Sequence, residues 1–493
     1  MKTLIQYIFL LVVFPFIPVL GQDNKKENVL QKEIAKLSSD PDLKHAAWGL
    51  SVLNTSNGKT IAAYNSDMGL IPASTLKLLT TATAYAKLTS NYKFTTTLSY
   101  DGIIDSNGAL NGNLYIVGGG DPTLGSPRFD NTAIENVYSA FYEAIKTQGI
   151  TKINGSIIGD DSYFEENFIS PTWQWGDMGN YYGSGATGLS VFENAYTLNF
   201  HPGDSIGKSA GTTSISPEIP DIKFINHVTT GEAGSGDNVV IYGSPYSNER
   251  MLTGTVPYGR NNFTVKGSIP NPALFAAQLF SDYLKKKNIT ISNEAISIAS
   301  GDTILLNAHV RKKLTEWKSP SLESIIRLIH LHSINNYTDA ILKTISREAN
   351  LDGSYISATS FVLNYWNKKG FDNDGIIMED GCGLSPLNRI STHQMSEFLY
   401  LVSKEEFFQT FYNTVAVAGK SGTMASILKG TIAENNLRGK SGYMSGTRAY
   451  CGYVTNKSNQ LLCFSFIANN FSGTSSNMKK KIEKLLLAIA LLE

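Results

Sequence analysis

The sequence predicts an α/β (α+β) protein in which one domain, an antiparallel sheet flanked by helices, is interrupted by a large β-rich insertion. Three observations predict it. An alternating hairpin and an apolar helix open the chain, and helical patterning returns only beyond about residue 305, to close on two alternating strands. Between them, from about 91 to 304, short apolar runs are broken by Gly, Asn, Asp and Pro, the texture of a separate sheet-rich unit. At 493 residues there is ample chain for more than one core.

The elements follow in order. Segment 1–21 has one early Lys, an apolar run from Leu4 to Leu20 and small or apolar residues before Gln22, which predicts a secretory signal cleaved after Gly21. Pro15 and Pro18 disfavour a retained spanning helix. With Lys2 removed, 42 basic residues become 41 against 42 acidic ones, so the mature protein is near neutral. That balance excludes a basic field for nucleic acid. Residues 46–65 alternate as two strands about an Asn-Gly turn, and "IPASTLKLLTTATAYAKL" predicts a buried helix over about 74–88. Within the insertion, 205–270 is dense in turn signals and reads as a nested module. "SLESIIRLIHLHS", "NYTDAILKTISREA" and "SATSFVLNYWNKKG" predict helices. "RAYCGYVTN" and "QLLCFSFIANNF" predict strands. A terminal helix from about Ser476 is basic at one end and apolar at the other. It is expected to pack on the sheet, with at most peripheral membrane contact, being too short to span. The catalytic domain is thus expected to comprise 22–90 and 305–493. Cys382, Cys451 and Cys463 are expected to be buried free thiols, and the scattered His residues predict no metal site.

Ser74 and Lys77 stand one helical turn apart, so their side chains share a face, the arrangement of a nucleophile and its base. Alone the spacing says little: Ser56, Ser90, Ser205, Ser426 and Ser476 also precede a Lys by three. Only Ser74 opens a long apolar helix after a Pro-Ala turn; the competing reading is an N-cap Ser with a surface Lys. Ser333 and Asn335 fall between two helical runs, where a hydroxyl can relay protons and an amide can hold a peptide group, or where both merely cap a helix. Lys-Ser-Gly occurs twice. Lys440, with Ser441, Gly442 and Tyr443, leads into an alternating hairpin, so it lies on a strand able to align a peptide and hold a carboxylate. Lys420 leads into a turn.

Ser-x-x-Lys, Ser-x-Asn and Lys-Ser-Gly in this chain order resemble the signature of penicillin-binding proteins. The wide gap between the first two resembles the class C low-molecular-mass group, the D-alanyl-D-alanine carboxypeptidase/endopeptidase family, whose transpeptidase/β-lactamase-like domain carries such an insertion. "GGGDPTL" at 118–124, "IGDDSYF" at 158–164, "EDGCGLS" at 379–385 and "GTM" at 422–424 extend the resemblance over nearly the whole mature chain. It implies a periplasmic serine peptidase without cofactor, acting on peptidoglycan stem peptides and acylated by β-lactam antibiotics. Ser74 would be the nucleophile, Lys77 its base, Ser333 the proton carrier to the leaving amine and Asn335 the peptide holder. Ser441 and Lys440 would bind the terminal carboxylate, and the N–H groups of Ser74 and Tyr443 the oxyanion.

Three positions depart from the family pattern: Tyr443 for Thr, Cys382 for Ser, and Pro386 for a frequent Arg. Asp177, in "PTWQWGDMG", is implied to meet the free amino group of the stem peptide; the other reading is a loop carboxylate beside core tryptophans. A β-lactamase and a catalytically weak wall-binding protein are the competing functions, separated from the first by antibiotic turnover and by muropeptide binding without hydrolysis.

Overall fold

The computed structural model describes residues 29–165, 167–302 and 310–493. The expected signal at 1–21 and the expected domain boundary at 304/305 therefore lie outside the described residues.

A five-stranded antiparallel sheet organises the two ends of the chain, in the order Thr60–Tyr64, Ala47–Asn54, Leu461–Asn469, Thr447–Thr455, Arg438–Met444. Its three central strands are buried almost throughout because both faces are covered, successive side chains entering the two layers in turn. Leu50, Val52, Tyr450, Val454, Phe464 and Phe466 face one layer, with helices Val29–Ser38 and Ser475–Ala490. Leu53, Cys451, Tyr453, Cys463 and Ile467 face the other, with helices Lys77–Leu88, Leu322–His332, Asn335–Glu348, Tyr355–Asn367 and Thr392–Val402. The cysteines thus serve as core packing, and all three are free and buried. The terminal helix buries Met478, Ile482, Leu485, Leu486 and Ile489 against the sheet, each contributing about 1.5–3 kcal/mol relative to exposure. Among the described residues no helix is long and apolar enough to cross a membrane. Helix Val29–Ser38 was not expected: its composition is charged, but Leu30, Ile34 and Leu37 recur at helical spacing and are buried.

The intervening chain forms a second five-stranded sheet, ordered Ile296–Ile298, Ile157–Asp160, Leu114–Val117, Thr95–Tyr100, Lys312–Lys318. Its last strand falls beyond the expected end of the insertion at 304. "KKLTEWK" pairs antiparallel with Thr95–Tyr100, so the return crossing, and not the next helix, closes this sheet. Two amphipathic helices inside it, Ile134–Thr147 and Pro272–Lys286, pack Tyr138, Phe141, Phe275 and Phe280 into its core. The expectation of a mostly-sheet region missed them. Short strands from Ala195–His201 to Phe263–Ser268 form small sheets of their own, over a range that overlaps the expected 205–270 module.

Candidate active site

Ser74 lies in a 3-10 turn, Ala73–Leu76, that runs into helix Lys77–Leu88. Ala73 takes φ 46°, a left-handed conformation that is rare for a residue with a side chain. The turn is gripped from two sides. A Cβ on Gly442 would stand 2.7 Å from the Pro72 carbonyl, and one on Gly383 would stand 2.0 Å from the Ala73 carbonyl. Both positions admit only glycine, which is how strand Arg438–Met444 and loop 380–385 close on the turn that carries Ser74.

Lys77 is fully buried, and its Nζ donates to Ser74 Oγ at 3.0 Å, Asn335 Oδ1 at 2.7 Å and the Cys382 carbonyl at 2.6 Å. Burial lowers its pKa from the ordinary lysine value, against the opposing pull of Cys382, Asp339 and Asp380. Burial also keeps the Cys382 thiol protonated and lifts Asp339 to about 7, which weakens their part of that pull near neutrality. Lys440, also fully buried, donates to Ser333 Oγ at 2.9 Å and to the Ser441 carbonyl at 2.7 Å. Burial and the nearby Lys77 hold its pKa well below the usual range. Ser333 caps helix Leu322–His332 at φ 59°, and Asn335 opens the next helix, so both sit at one sharp corner. The Asn335 amide donates one N–H to the Tyr182 carbonyl at 2.8 Å, leaving its second for the cleft.

The five expected residues therefore converge. Ser74, Ser333, Asn335, Ser441 and Tyr443 line a cleft of about 890 Å³, with the two lysines buried beneath it. Asp177 lies on the same cleft from the short helical turn Trp175–Met178, its carboxyl raised by burial, with backbone hydrogen bonding at Gln174 and the Tyr182 hydroxyl partly offsetting this. Of its tryptophan neighbours, Trp173 is core while Trp175 is 56% exposed. Lys420 sits exposed in a turn before Gly422–Met424, away from the strand edge.

Sequence reasoning missed the groups that act through the backbone or from beneath. The Cys382 carbonyl accepts from Lys77, so the Ser-to-Cys departure leaves that contact intact. Asp380 fixes the loop by accepting from Trp173 Nε1 at 2.7 Å, the Gly383 and Ser385 N–H groups at 2.7 Å and Asn388 Nδ2 at 3.0 Å. Asp339 accepts from the Gly381 N–H at 2.8 Å. The Tyr182 carbonyl brings the insertion itself to Asn335, and Lys343 Nζ ties helix Asn335–Glu348 to the Asn167 carbonyl at 3.0 Å. Among the described residues no cluster of His, Cys, Asp or Glu is arranged to hold a metal ion.

A serine held against a buried amine, on a sheet-and-helix domain of this topology, belongs to a serine-type hydrolase. The sequence profile of the D-Ala-D-Ala carboxypeptidase 3 (S13) family matches residues 30–490, and the chain belongs to that family. A D-alanyl-D-alanine carboxypeptidase of Actinomadura sp. (strain R39) is 27% identical over 90% of this chain and 81% of that protein. D-alanyl-D-alanine carboxypeptidase DacB of Haemophilus influenzae is 23% identical over 88% and 87% respectively. The crystal structure of penicillin binding protein 4 from H. influenzae matches with a TM-score of 0.79 at 22% identity, covering 93% of this chain and 99% of that one. The same relative has been solved complexed with a β-lactam.

Proposed function

We propose that the protein is a D-Ala-D-Ala carboxypeptidase and endopeptidase of peptidoglycan stem peptides and cross-links, working through an acyl-enzyme on Ser74. The observation that carries this reading is the buried Lys77 amine 3.0 Å from Ser74 Oγ. Lys77 takes the hydroxyl proton as Ser74 attacks the penultimate D-Ala carbonyl. The oxyanion meets the N–H groups of Ser74 and Tyr443. Ser333, its oxygen already accepting from Lys440, directs its own proton to the leaving amine. Asn335 steadies the peptide with its free N–H, Lys440 and Ser441 hold the carboxylate, and Asp177 meets the amino group of the stem peptide. Water then hydrolyses the ester. The substrate lies outside the cytoplasm, so the reading includes a periplasmic location reached through the signal expected at 1–21.

The test is the intact mass of the purified protein after brief exposure to benzylpenicillin, with peptide mapping and a Ser74→Ala control. A stable adduct on Ser74 is expected. Absence of an adduct without antibiotic loss overturns the acyl-enzyme, and rapid antibiotic turnover replaces the peptidase with a β-lactamase.

A further inference from the structure

Tyr443 stands where a hydroxyl is expected to help Ser441 hold the substrate carboxylate, and its ring lies 59% exposed at the cleft. Its cross-strand neighbour is Arg448, whose guanidinium stacks on that ring 4.5 Å from the centroid. Antiparallel pairing sets Ser441 opposite Tyr450 and Tyr443 opposite Arg448, so these four side chains share one face of the sheet. Arg448 is the diagonal neighbour of Ser441, roughly 7–8 Å away by backbone and within reach of a long side chain. All four line the cleft.

The charge on Arg448 is not spent elsewhere. It forms no ion pair among the described residues, and its Nε alone donates, to Ser475 Oγ at 2.6 Å. Ser475 opens the terminal helix, whose N-terminal end disfavours a cation, so this placement costs stability. Lys479 adds a second cation to the same end of the cleft, its Nζ held by Ser426 Oγ at 2.6 Å. Asp177, Arg448 and Lys479 all line this cleft.

We infer that Arg448, laid on the Tyr443 ring and pinned by Ser475, binds the carboxylate next to the leaving amine in place of the missing hydroxyl. The nitrogens of the guanidinium not bonded to Ser475 offer the forked donors that match a carboxylate. The ring beneath fixes the guanidinium plane and shields one face from water. This rests on the proposed peptidase function and names a further selectivity residue for it.

The experiment compares kcat/KM for diacetyl-lysyl-D-alanyl-D-alanine with that for its C-terminal amide, in the parent, Arg448→Gln and Arg448→Lys, each also labelled with benzylpenicillin. In Arg448→Gln the acid-over-amide ratio is expected to fall by about tenfold to a hundredfold, the worth of a hydrogen bond to a charged group, and Arg448→Lys is expected to restore part of it. An unchanged ratio, with both rates falling together, makes Arg448 merely structural and overturns the inference. A parent that cleaves neither peptide and is not labelled at Ser74 overturns the functional reading, and this inference with it.

Discussion

Replacing Gly442 by Ala tests whether the strand edge is pressed against the nucleophile. The new Cβ would meet the Pro72 carbonyl oxygen at 2.7 Å, the Ala73 Cβ at 3.1 Å and the Ala449 Cβ at 3.2 Å. The Pro72 oxygen is itself fixed, because it accepts from Thr75 Oγ1 at 2.8 Å within the turn that carries Ser74. Strand and turn must separate by about 0.5 Å to restore ordinary contact. Overpacking of this kind costs about 1–3 kcal/mol of stability. It also moves the proposed oxyanion donor at Tyr443 away from the one at Ser74, and a misplacement approaching 1 Å is worth about a hundredfold in rate, or about 2.7 kcal/mol of barrier. The expected result is a tenfold to hundredfold slower acylation by fluorescent penicillin, with about 1–3 kcal/mol lost in urea unfolding. Gly69→Ala, whose nearest neighbour is Arg389 Cβ at 4.0 Å, serves as control. Acylation at the parent's rate, whatever happens to stability, refutes the argument.

Other expectations follow from the same contacts. Acylation should rise with pH through an inflection below the ordinary lysine value of 10.5, since only the neutral Lys77 amine accepts the Ser74 proton; Asp339→Asn should move that inflection lower by removing a negative charge that favours the ammonium, as read from pH–rate profiles. His330, held neutral to about pH 3 first by burial and then by nearby Lys440, is protonated in the unfolded chain below 6.5. The unfolded state then binds more protons, so stability is intact above pH 6.5 and falls as pH drops toward 3. Urea midpoints should show a loss of about 2 kcal/mol by pH 5 that His330→Asn lacks. Trp173→Phe removes the donor 2.7 Å from Asp380 Oδ2, which should cost about 1.5–3 kcal/mol in thermal or urea melts and slow acylation by loosening the loop that aims the Cys382 carbonyl at Lys77.

What the sequence made legible was periodic or local. Ser74 and Lys77 stand out because three residues make one turn, and Lys440 separates from Lys420 because alternation predicts a strand and a turn-rich run does not. The central strands of the antiparallel sheet were legible as short apolar runs between turn signals, being buried on both faces. Two of the groups that escaped notice carry no side-chain signal: the Cys382 and Tyr182 carbonyls work through the backbone, which any residue supplies. Helix Val29–Ser38 was hidden by its charged composition, and helices Ile134–Thr147 and Pro272–Lys286 by the turn-rich sequence around them. Strand Lys312–Lys318 was not legible as part of the second sheet because "KKLTEWK" is mostly polar and irregular in register, and its pairing partner lies far earlier, at Thr95–Tyr100.

The sheet has a consequence for how activity first arises. Leu53 pairs with Cys463 across 410 residues, so the strand that follows the N-terminal helix waits for almost the entire chain before it gains a central neighbour. Ser74, the proposed nucleophile, is made early in synthesis, and its facing strand and Lys440 upon it come close to last. A chain emerging from its N-terminus thus carries Ser74 without the strand that will face it. Closing so long a loop is slow, and it exposes apolar strand edges meanwhile. The proposed site is thereby complete only once the final hairpin docks against the first strands.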